Sequence, residues 1–174
     1  KINNKTNFTS IEFSKPNTKK RIKMKEYRQN VAAIILNKEN KIWLGKRADG
    51  MNWGFPQGGI EAGEKPETAI IRELSEEIGT KEFEIIGQYP GTLKYDFPKE
   101  MKFPTWTYAG QEQHYFLVRL HEEAKINLES HPEEIEFSTY QFLGLSEIRK
   151  MDFGFKNDVY HQALDYFSKI IEKN

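Results

Sequence analysis

The segment from Gly58 to Thr80, GGIEAGEKPETAIIRELSEEIGT, places three carboxylates on one face of a helix. Glu73, Glu76 and Glu77 occupy relative positions 0, +3 and +4, where like charges are neighbours and repel one another. An ordered helix with this cluster calls for a compensating cation, and oxygen ligands favour a hard divalent ion, Mg²⁺ or Mn²⁺. Because a metal held in this way commonly binds phosphates, the pattern predicts phosphate chemistry.

The residues around the acidic cluster predict where the helix begins and ends. Pro66 suits a first-turn position, where its missing N–H costs nothing, and Gly79 stands where a left-handed stop is expected. The packed face is predicted from an apolar stripe at helical spacing: Ile70, Ile71, Leu74 and Ile78. A solvated, salt-bridged surface helix is the alternative for a bare acidic pattern. The ordered loop before the helix argues against that alternative.

This loop and helix resemble the Nudix box. The matching positions are Gly58, Glu64, Arg72-Glu73-Leu74, Glu76-Glu77 and Gly79. The pattern departs only at Thr80, where a bulky aliphatic residue is usual. The resemblance implies a Nudix hydrolase, in which water attacks a phosphorus of a nucleoside diphosphate linked to another group, assisted by Mg²⁺. It also implies an α/β fold, the Nudix-type α/β/α sandwich with a mixed sheet.

The resemblance assigns roles within the box. The metal ligands that it implies are the carbonyl of Gly58 and the carboxylates of Glu73, Glu76 and Glu77. Catalysis falls to Glu76 and Glu77, since a divalent ion held there lowers the pKa of a bound water and neutralises phosphate oxygens. Glu64 and Arg72 are expected to be structural and to join the loop to the helix.

Five further segments narrow the resemblance to one subgroup. In chain order they are YRQNV at 27–31, FPQGG at 55–59, YDFP at 95–98, GQEQHYF at 110–116, and Phe155-Lys156. They are similar to the subgroup that holds plant- and bacterial-type asymmetrical diadenosine tetraphosphate hydrolases and bacterial RNA 5′-pyrophosphohydrolases. That subgroup usually has Pro at the position of Gln29 and a basic residue at that of Asn157. The second departure removes a candidate phosphate contact and weakens the RNA interpretation.

The same subgroup has a carboxylate on a loop distant from the box, which approaches the metals as a fourth acidic ligand or as the general base. The stretch from His131 to Phe137 matches that loop but carries extra residues. Glu133, Glu134 and Glu136 are therefore all candidates. We choose Glu136 as the metal ligand and catalytic residue because Phe137 follows it as an apolar anchor.

Substrate-binding candidates lie in the flanking segments. Three aromatic side chains could stack on a purine, with core packing as the alternative for each: Tyr95, Tyr115 and Phe155. Cations that could contact phosphates beyond the reach of the metals are Arg28, Lys46 with the adjacent Arg47, and Lys156. Gln57 could hydrogen-bond a phosphate or order the loop before the glycines.

The charge of the chain is divided unequally. Residues 1–25 contain eight Lys or Arg and one acid, out of 26 basic and 26 acidic residues in the whole chain. We expect residues 1–25 to form a basic, flexible extension and residues 26–174 to form the Nudix hydrolase domain. The chain has no cysteine and no apolar run long enough for a membrane helix. We expect a cytoplasmic protein, and further residues upstream because the chain opens at Lys1.

Hydrophobic patterns outside the box predict the remaining elements. Strands are predicted at 31–36, 42–46, 83–89, 114–120 and 140–143, and helices at 146–151 and 157–171. The second helix is expected to bury four residues: Val159, Ala163, Phe167 and Ile170. Strands interleaved with helices in this way predict a mixed sheet that is covered on both faces.

Three functions fit these features. The favoured one is Mg²⁺-dependent splitting of diadenosine tetraphosphate into ATP and AMP, since an acidic domain disfavours tracking along RNA. The alternative is removal of pyrophosphate from a triphosphorylated RNA 5′ end. A third, of another class, is a non-catalytic nucleotide-binding module, which the intact box carboxylates argue against. The expected partner is a dinucleoside polyphosphate, or an RNA 5′ end, with no membrane, and the sequence specifies no protein partner.

Overall fold

The structure is a computed structural model that describes residues 26–101 and 107–173. The predicted flexible extension at residues 1–25 lies outside the described residues. Within these ranges the chain forms eight strands and three helices. They are β1 (Tyr27–Leu36), β2 (Ile42–Arg47), β3 (Trp53–Gly54), β4 (Gln57–Gly59), α1 (Pro66–Glu77), β5 (Phe83–Gln88), β6 (Leu93–Asp96), β7 (Gly110–Leu120), β8 (Phe137–Leu143), α2 (Leu145–Arg149) and α3 (Asn157–Ile171).

The eight strands form one mixed sheet. Its main path runs β3-β2-β1-β7-β5, while β4 pairs with β1, β6 with β7 and β8 with β2. The long central strands β1 and β7 are parallel, from the pair Tyr27–Gly110 to the pair Leu36–Arg119, and the other pairs are antiparallel. The predicted mixed sheet is therefore confirmed.

Helices cover both faces of this sheet. Successive side chains of a strand point to opposite faces, and β1 supplies one core with residues 31, 33 and 35 and the other with residues 32, 34 and 36. The first set packs with Ile70 and Leu74 of α1, and the second with Leu164 and Phe167 of α3. This arrangement is the α/β/α sandwich that the sequence predicted.

The box helix has the predicted ends and a narrower packed face. Pro66 occupies the first position of α1, and Gly79, with φ 71°, follows the last residues of the helix. The prediction that Ile71 packs inward is wrong, because it is 39% exposed. Ile70 and Leu74 are spaced by four residues and define the buried stripe, and Ile71 lies about 100° around the helix from Ile70.

The sequence-based boundaries of the other elements need small corrections. In α3 the buried residue is Ile171 rather than Ile170, which is 40% exposed, because positions 163, 167 and 171 follow the i, i+4 spacing of one face. The short helix runs from 145 to 149 instead of 146 to 151. Strand β6, Leu93–Asp96, is an element that the sequence-based interpretation lacks. The short strand β3 lies between β2 and the glycine loop, where no strand is predicted.

No helix in the described ranges is both long enough and apolar enough to cross a membrane.

Candidate active site

A cavity of about 500 Å³ opens beside the box helix. Its acidic lining consists of Asp49, Glu73, Glu76, Glu77, Glu134 and Glu136. Its cationic lining consists of Arg28, Arg47 and Lys156. Aromatic rings complete the wall, among them Trp53, Tyr95, Phe97 and Phe155. Cations and rings therefore share one cavity with the carboxylates, which a binding site for a nucleotide polyphosphate requires.

Arg72 joins the glycine loop to the helix. It donates two hydrogen bonds to the carboxylate of Glu64, at 2.9 and 2.8 Å, and a third to the carbonyl of Gly59 at 2.9 Å. Glu64 also accepts the main-chain N–H of Glu61. Bonding to Arg72 lowers the pKa of Glu64 to about 2, so the pair is ionic at neutral pH. These contacts agree with the structural roles expected for Glu64 and Arg72.

The same guanidinium reaches two of the predicted metal ligands. It donates a hydrogen bond of 2.8 Å to Glu73 and lies 3.6 Å from the carboxylate of Glu76. Burial raises the pKa of Glu73 in spite of this contact. The position of Gly58 allows the approach, because a Cβ there would lie 2.0 Å from the carboxyl carbon of Glu73. Glycine at 58 is therefore needed for the Glu73 carboxylate to approach the loop.

Glu77 is the most unusual side chain of the site. It is 7% exposed, and its Oε2 atom is buried with no hydrogen-bond partner. Burial raises the pKa of Glu77 well above its usual range, and the charges of Glu73 and Glu136 raise it further. The main-chain N–H of Gln57 donates a hydrogen bond to this carboxylate. A buried carboxylate oxygen without a partner is costly unless a cation or proton satisfies it.

The donors present fit a divalent ion. They are all oxygens, one is the unpartnered Glu77 Oε2, and the loop at Gly58 leaves room that a side chain would fill. In the described ranges, however, no three Asp, Glu or His side chains are already grouped to hold a metal. Two of the candidate carboxylates, those of Glu73 and Glu76, are paired with Arg72 instead.

Of the two adjacent cations Lys46 and Arg47, only Arg47 lines the cavity. Lys46 is exposed and does not line the cavity, which corrects its assignment as a substrate contact. The strand is irregular between these two residues, and Arg47 turns to the cavity, where Asp49 accepts its hydrogen bond at 2.6 Å. Loss of hydration and repulsion from Arg47 lower the pKa of Lys156 to about 8.

Two of the three aromatic candidates line the cavity. The rings of Tyr95 and Phe155 lie 5.6 Å apart at 48°, and the ammonium of Lys156 is 5.8 Å from the centre of the Tyr95 ring. Tyr115 is instead fully buried in the sheet core, where its hydroxyl donates to Gln113 at 3.0 Å. The alternation of β7 turns Tyr115 into the core, so its assignment to substrate binding is corrected.

A buried amide network, missed from the sequence, supports the glycine loop. Gln113 donates to the side chains of Asn30, at 2.8 Å, and Gln57, at 2.7 Å. Asn30 and Arg28 both donate to the side-chain oxygen of Gln111. The signal was available, since an Asn before an apolar strand and two Gln in another are polar residues at strand positions. Gln57, the loop residue of this network, also donates its N–H to Glu77, so its contacts order the loop.

The remote acidic loop lies against the site. Glu134 and Glu136 line the cavity, whereas Glu133 does not. The carbonyl of Glu136 accepts the N–H of Ala48 at 2.9 Å, and its charge acts on Glu77. We therefore retain Glu136 as the proposed remote carboxylate.

Comparison with known proteins defines the family. The NUDIX domain family matches residues 26–163, and the chain belongs to this family. It is 48% identical over 151 residues to an RNA pyrophosphohydrolase of Campylobacter jejuni, covering 83% of this chain and 95% of that protein. The protein is thus an enzyme, a Nudix pyrophosphohydrolase, and the predicted family and reaction class are confirmed.

Solved structures share the fold at low identity. A dihydroneopterin triphosphate pyrophosphohydrolase of E. coli matches with a TM-score of 0.62 and 17% identity, covering 82% of this chain and 97% of that one. An Ap4A hydrolase of C. elegans matches with a TM-score of 0.58 and 20% identity, covering 82% and 97%. These proteins are named for different substrates, so the shared fold does not select one. Nudix hydrolases in general need a divalent metal, which agrees with the donor set described above.

Proposed function

We propose that this protein hydrolyses the triphosphate at RNA 5′ ends and releases pyrophosphate. The observation that carries the proposal is the 48% identity to an RNA pyrophosphohydrolase across 95% of that protein, against 20% identity to an Ap4A hydrolase. The favoured sequence-based substrate, diadenosine tetraphosphate, rested on the acidic charge of the domain. Net charge is a weak guide here, because a 5′ end needs only a few well-placed cations.

The cavity supports this substrate class through its cations. Arg28, Arg47 and Lys156 all line it, and each can donate charge-assisted hydrogen bonds to phosphate oxygens. Arg47 is held by Asp49, so its guanidinium is oriented before a substrate arrives. The partly exposed ring of Phe155 lies beside Lys156 and can stack on a base without reading its identity.

The acidic residues supply the proposed metal site. We assign the divalent ion as Mg²⁺, with Mn²⁺ as a substitute, and its ligands as the Gly58 carbonyl, Glu73, Glu76, Glu77 and Glu136. Bound there, the ion would neutralise phosphate oxygens and lower the pKa of a bound water. The amide network fixes the loop that carries Gly58, and Arg72 fixes the box helix against it.

The remaining chemical role belongs to Glu136. We assign it as the general base, which accepts a proton from the attacking water, because it lines the cavity on a loop bonded to Ala48. Water then attacks phosphorus, the bridging oxygen leaves with pyrophosphate, and the RNA retains a monophosphate. An enzyme acting on RNA ends would work in the cytoplasm, as expected from the sequence.

Product analysis tests the proposal. A short RNA with a labelled 5′ triphosphate is incubated with the protein and Mg²⁺, and the products are separated by chromatography. We expect labelled pyrophosphate, or phosphate released in steps, together with monophosphorylated RNA. The Glu77→Gln variant and an EDTA reaction should release neither. An RNA that stays triphosphorylated under conditions where diadenosine tetraphosphate is split would refute the proposed substrate.

A further inference from the structure

A 3₁₀ turn at Gly154–Lys156, just before α3, carries two of the cavity residues. Gly154 adopts the left-handed conformation, with φ 61°, so the backbone reverses sharply before Phe155 and Lys156. Phe153 anchors the start of the turn, since its buried ring packs 4.8 Å from that of Tyr160. The main chain of this turn therefore decides where Lys156 and Phe155 enter the cavity.

Two side chains close this turn by hydrogen bonds. Asn157 accepts the main-chain N–H of Phe153 at 2.6 Å and donates its own amide hydrogen to Asp152 at 2.8 Å. The same oxygen of Asp152 accepts the N–H of Gly154 at 2.8 Å. The two residues thus satisfy two main-chain donors of the turn and bind each other across it.

We infer that Asn157, held by Asp152, is a positioning residue that fixes the turn so that Lys156 and Phe155 meet the substrate. The inference rests on the proposed function, in which Lys156 contacts a phosphate and Phe155 a base. The side chain at this position must supply an acceptor, since a lysine or arginine has none and could not bond the Phe153 N–H.

Steady-state kinetics of Asn157→Ala test this role. The variant keeps Lys156 and Phe155 but loses both bonds of residue 157, so we expect KM for triphosphorylated RNA to rise about tenfold with kcat within about twofold. The matched control is Asp158→Asn, an exposed acid on the same first turn of α3, which should behave as the wild type. The variants are also assayed with diadenosine tetraphosphate, so that the role of Asn157 can be tested even if RNA is not the substrate.

Two further comparisons separate positioning from a general loss of structure. In the Lys156→Ala background, Asn157→Ala should raise KM by clearly less than it does in the wild type, because only one of the two side chains that it positions, Phe155, remains. Asn157→Asp should raise KM by placing two carboxylates together. Asn157→Asp retains the acceptor for the Phe153 N–H, so the rise in KM measures the lost bond to Asp152. If Asn157→Ala does not fold, Asp152→Ala takes its place, since Asp152 is exposed.

Each outcome of these KM comparisons either supports or overturns the positioning role of Asn157. An unchanged KM in Asn157→Ala or Asn157→Asp, or an effect fully additive with Lys156→Ala, would overturn the positioning role. If the wild type splits diadenosine tetraphosphate but leaves RNA intact, the proposed substrate fails while the KM comparison still decides the role of Asn157. If the wild type hydrolyses neither substrate, both proposals are refuted.

Discussion

Replacing Glu77 with Gln should stabilise the metal-free protein while abolishing its activity. The Glu77 carboxylate is 7% exposed, its Oε2 atom has no partner, and the charges of Glu73 and Glu136 act against its ionisation. Glutamine has nearly the same shape and carries no charge. The substitution therefore removes an electrostatic penalty from the fold and a ligand from the proposed metal site.

The size of the effect follows from burial. A buried polar group left unsatisfied costs about 1–3 kcal/mol and more when it is charged, and the substitution removes only the part that depends on charge, because the glutamine amide lacks the same partner. In a chain of this size each kcal/mol shifts Tm by about 2–4 °C, so we expect Tm in EDTA to be roughly 2–12 °C above that of the wild type. Mg²⁺ at 100 times its Kd should stabilise the wild type by about 2.7 kcal/mol, and the Glu77→Gln variant by far less. Losing a ligand should lower kcat/KM by about 100-fold or more.

Thermal unfolding in EDTA and in Mg²⁺ measures both the stability of the metal-free protein and the stabilisation by Mg²⁺. Glu67→Gln serves as the control, because Glu67 is an exposed acid in the first turn of the same helix. It should respond to Mg²⁺ like the wild type. A Glu77→Gln variant that is less stable than the wild type in EDTA would exclude the charge penalty at Glu77, and one that gains as much stability from Mg²⁺ would exclude Glu77 as a metal ligand.

Three other substitutions have defined outcomes. Glu64→Gln should lower the free energy of unfolding, measured in urea at neutral pH, by about 1.5–3 kcal/mol. Because the pKa of Glu64 in the folded protein is lowered to about 2, the difference in free energy of unfolding between wild type and variant should persist above about pH 4.5 and disappear as the pH falls through 2. A difference that does not change with pH would contradict the ionic pairing of Glu64 with Arg72. Lys156→Ala should raise KM about 10- to 100-fold at pH 7. Since the pKa of Lys156 is lowered to about 8, the wild-type KM should rise above pH 8 and that of the variant should not. Gly58→Ala should keep the circular dichroism spectrum of the wild type but lose at least about tenfold in activity. The reason is that the new Cβ would lie 2.0 Å from the carboxyl carbon of Glu73 and would displace that carboxylate; wild-type activity would exclude the displacement.

The sequence was most informative where a local pattern decides the structure. The spacing from Pro66 to Gly79 contains its own start signal, stop signal and apolar stripe, and helix α1 follows it closely. The continuous apolar run at 31–36 likewise predicts a buried strand, and its side chains alternate between the two cores. In these segments, helix periodicity and strand alternation act within a few residues and need no knowledge of the partners.

Contacts between distant segments could not be predicted in the same way. Lys46 and Arg47 are adjacent, and only the irregular pairing with β8 determines which one turns to the cavity. Tyr115 is aromatic and lies within the matching segment at 110–116, yet its position in the parallel pair with β1 buries it. Asn157 was recognised as a departure from the subgroup, but its bonds to the turn depend on backbone geometry that no residue pattern specifies.

The central claim is that triphosphorylated RNA is the preferred substrate of this site. A competition reaction tests it most directly, with equimolar short triphosphorylated RNA and diadenosine tetraphosphate, Mg²⁺, and Glu77→Gln as the inactive control. The ratio of the two rates then equals the ratio of the kcat/KM values. We predict that RNA is consumed at least about tenfold faster, with pyrophosphate or phosphate as the released product. Faster formation of ATP and AMP would contradict the claim and assign the enzyme to dinucleoside tetraphosphates.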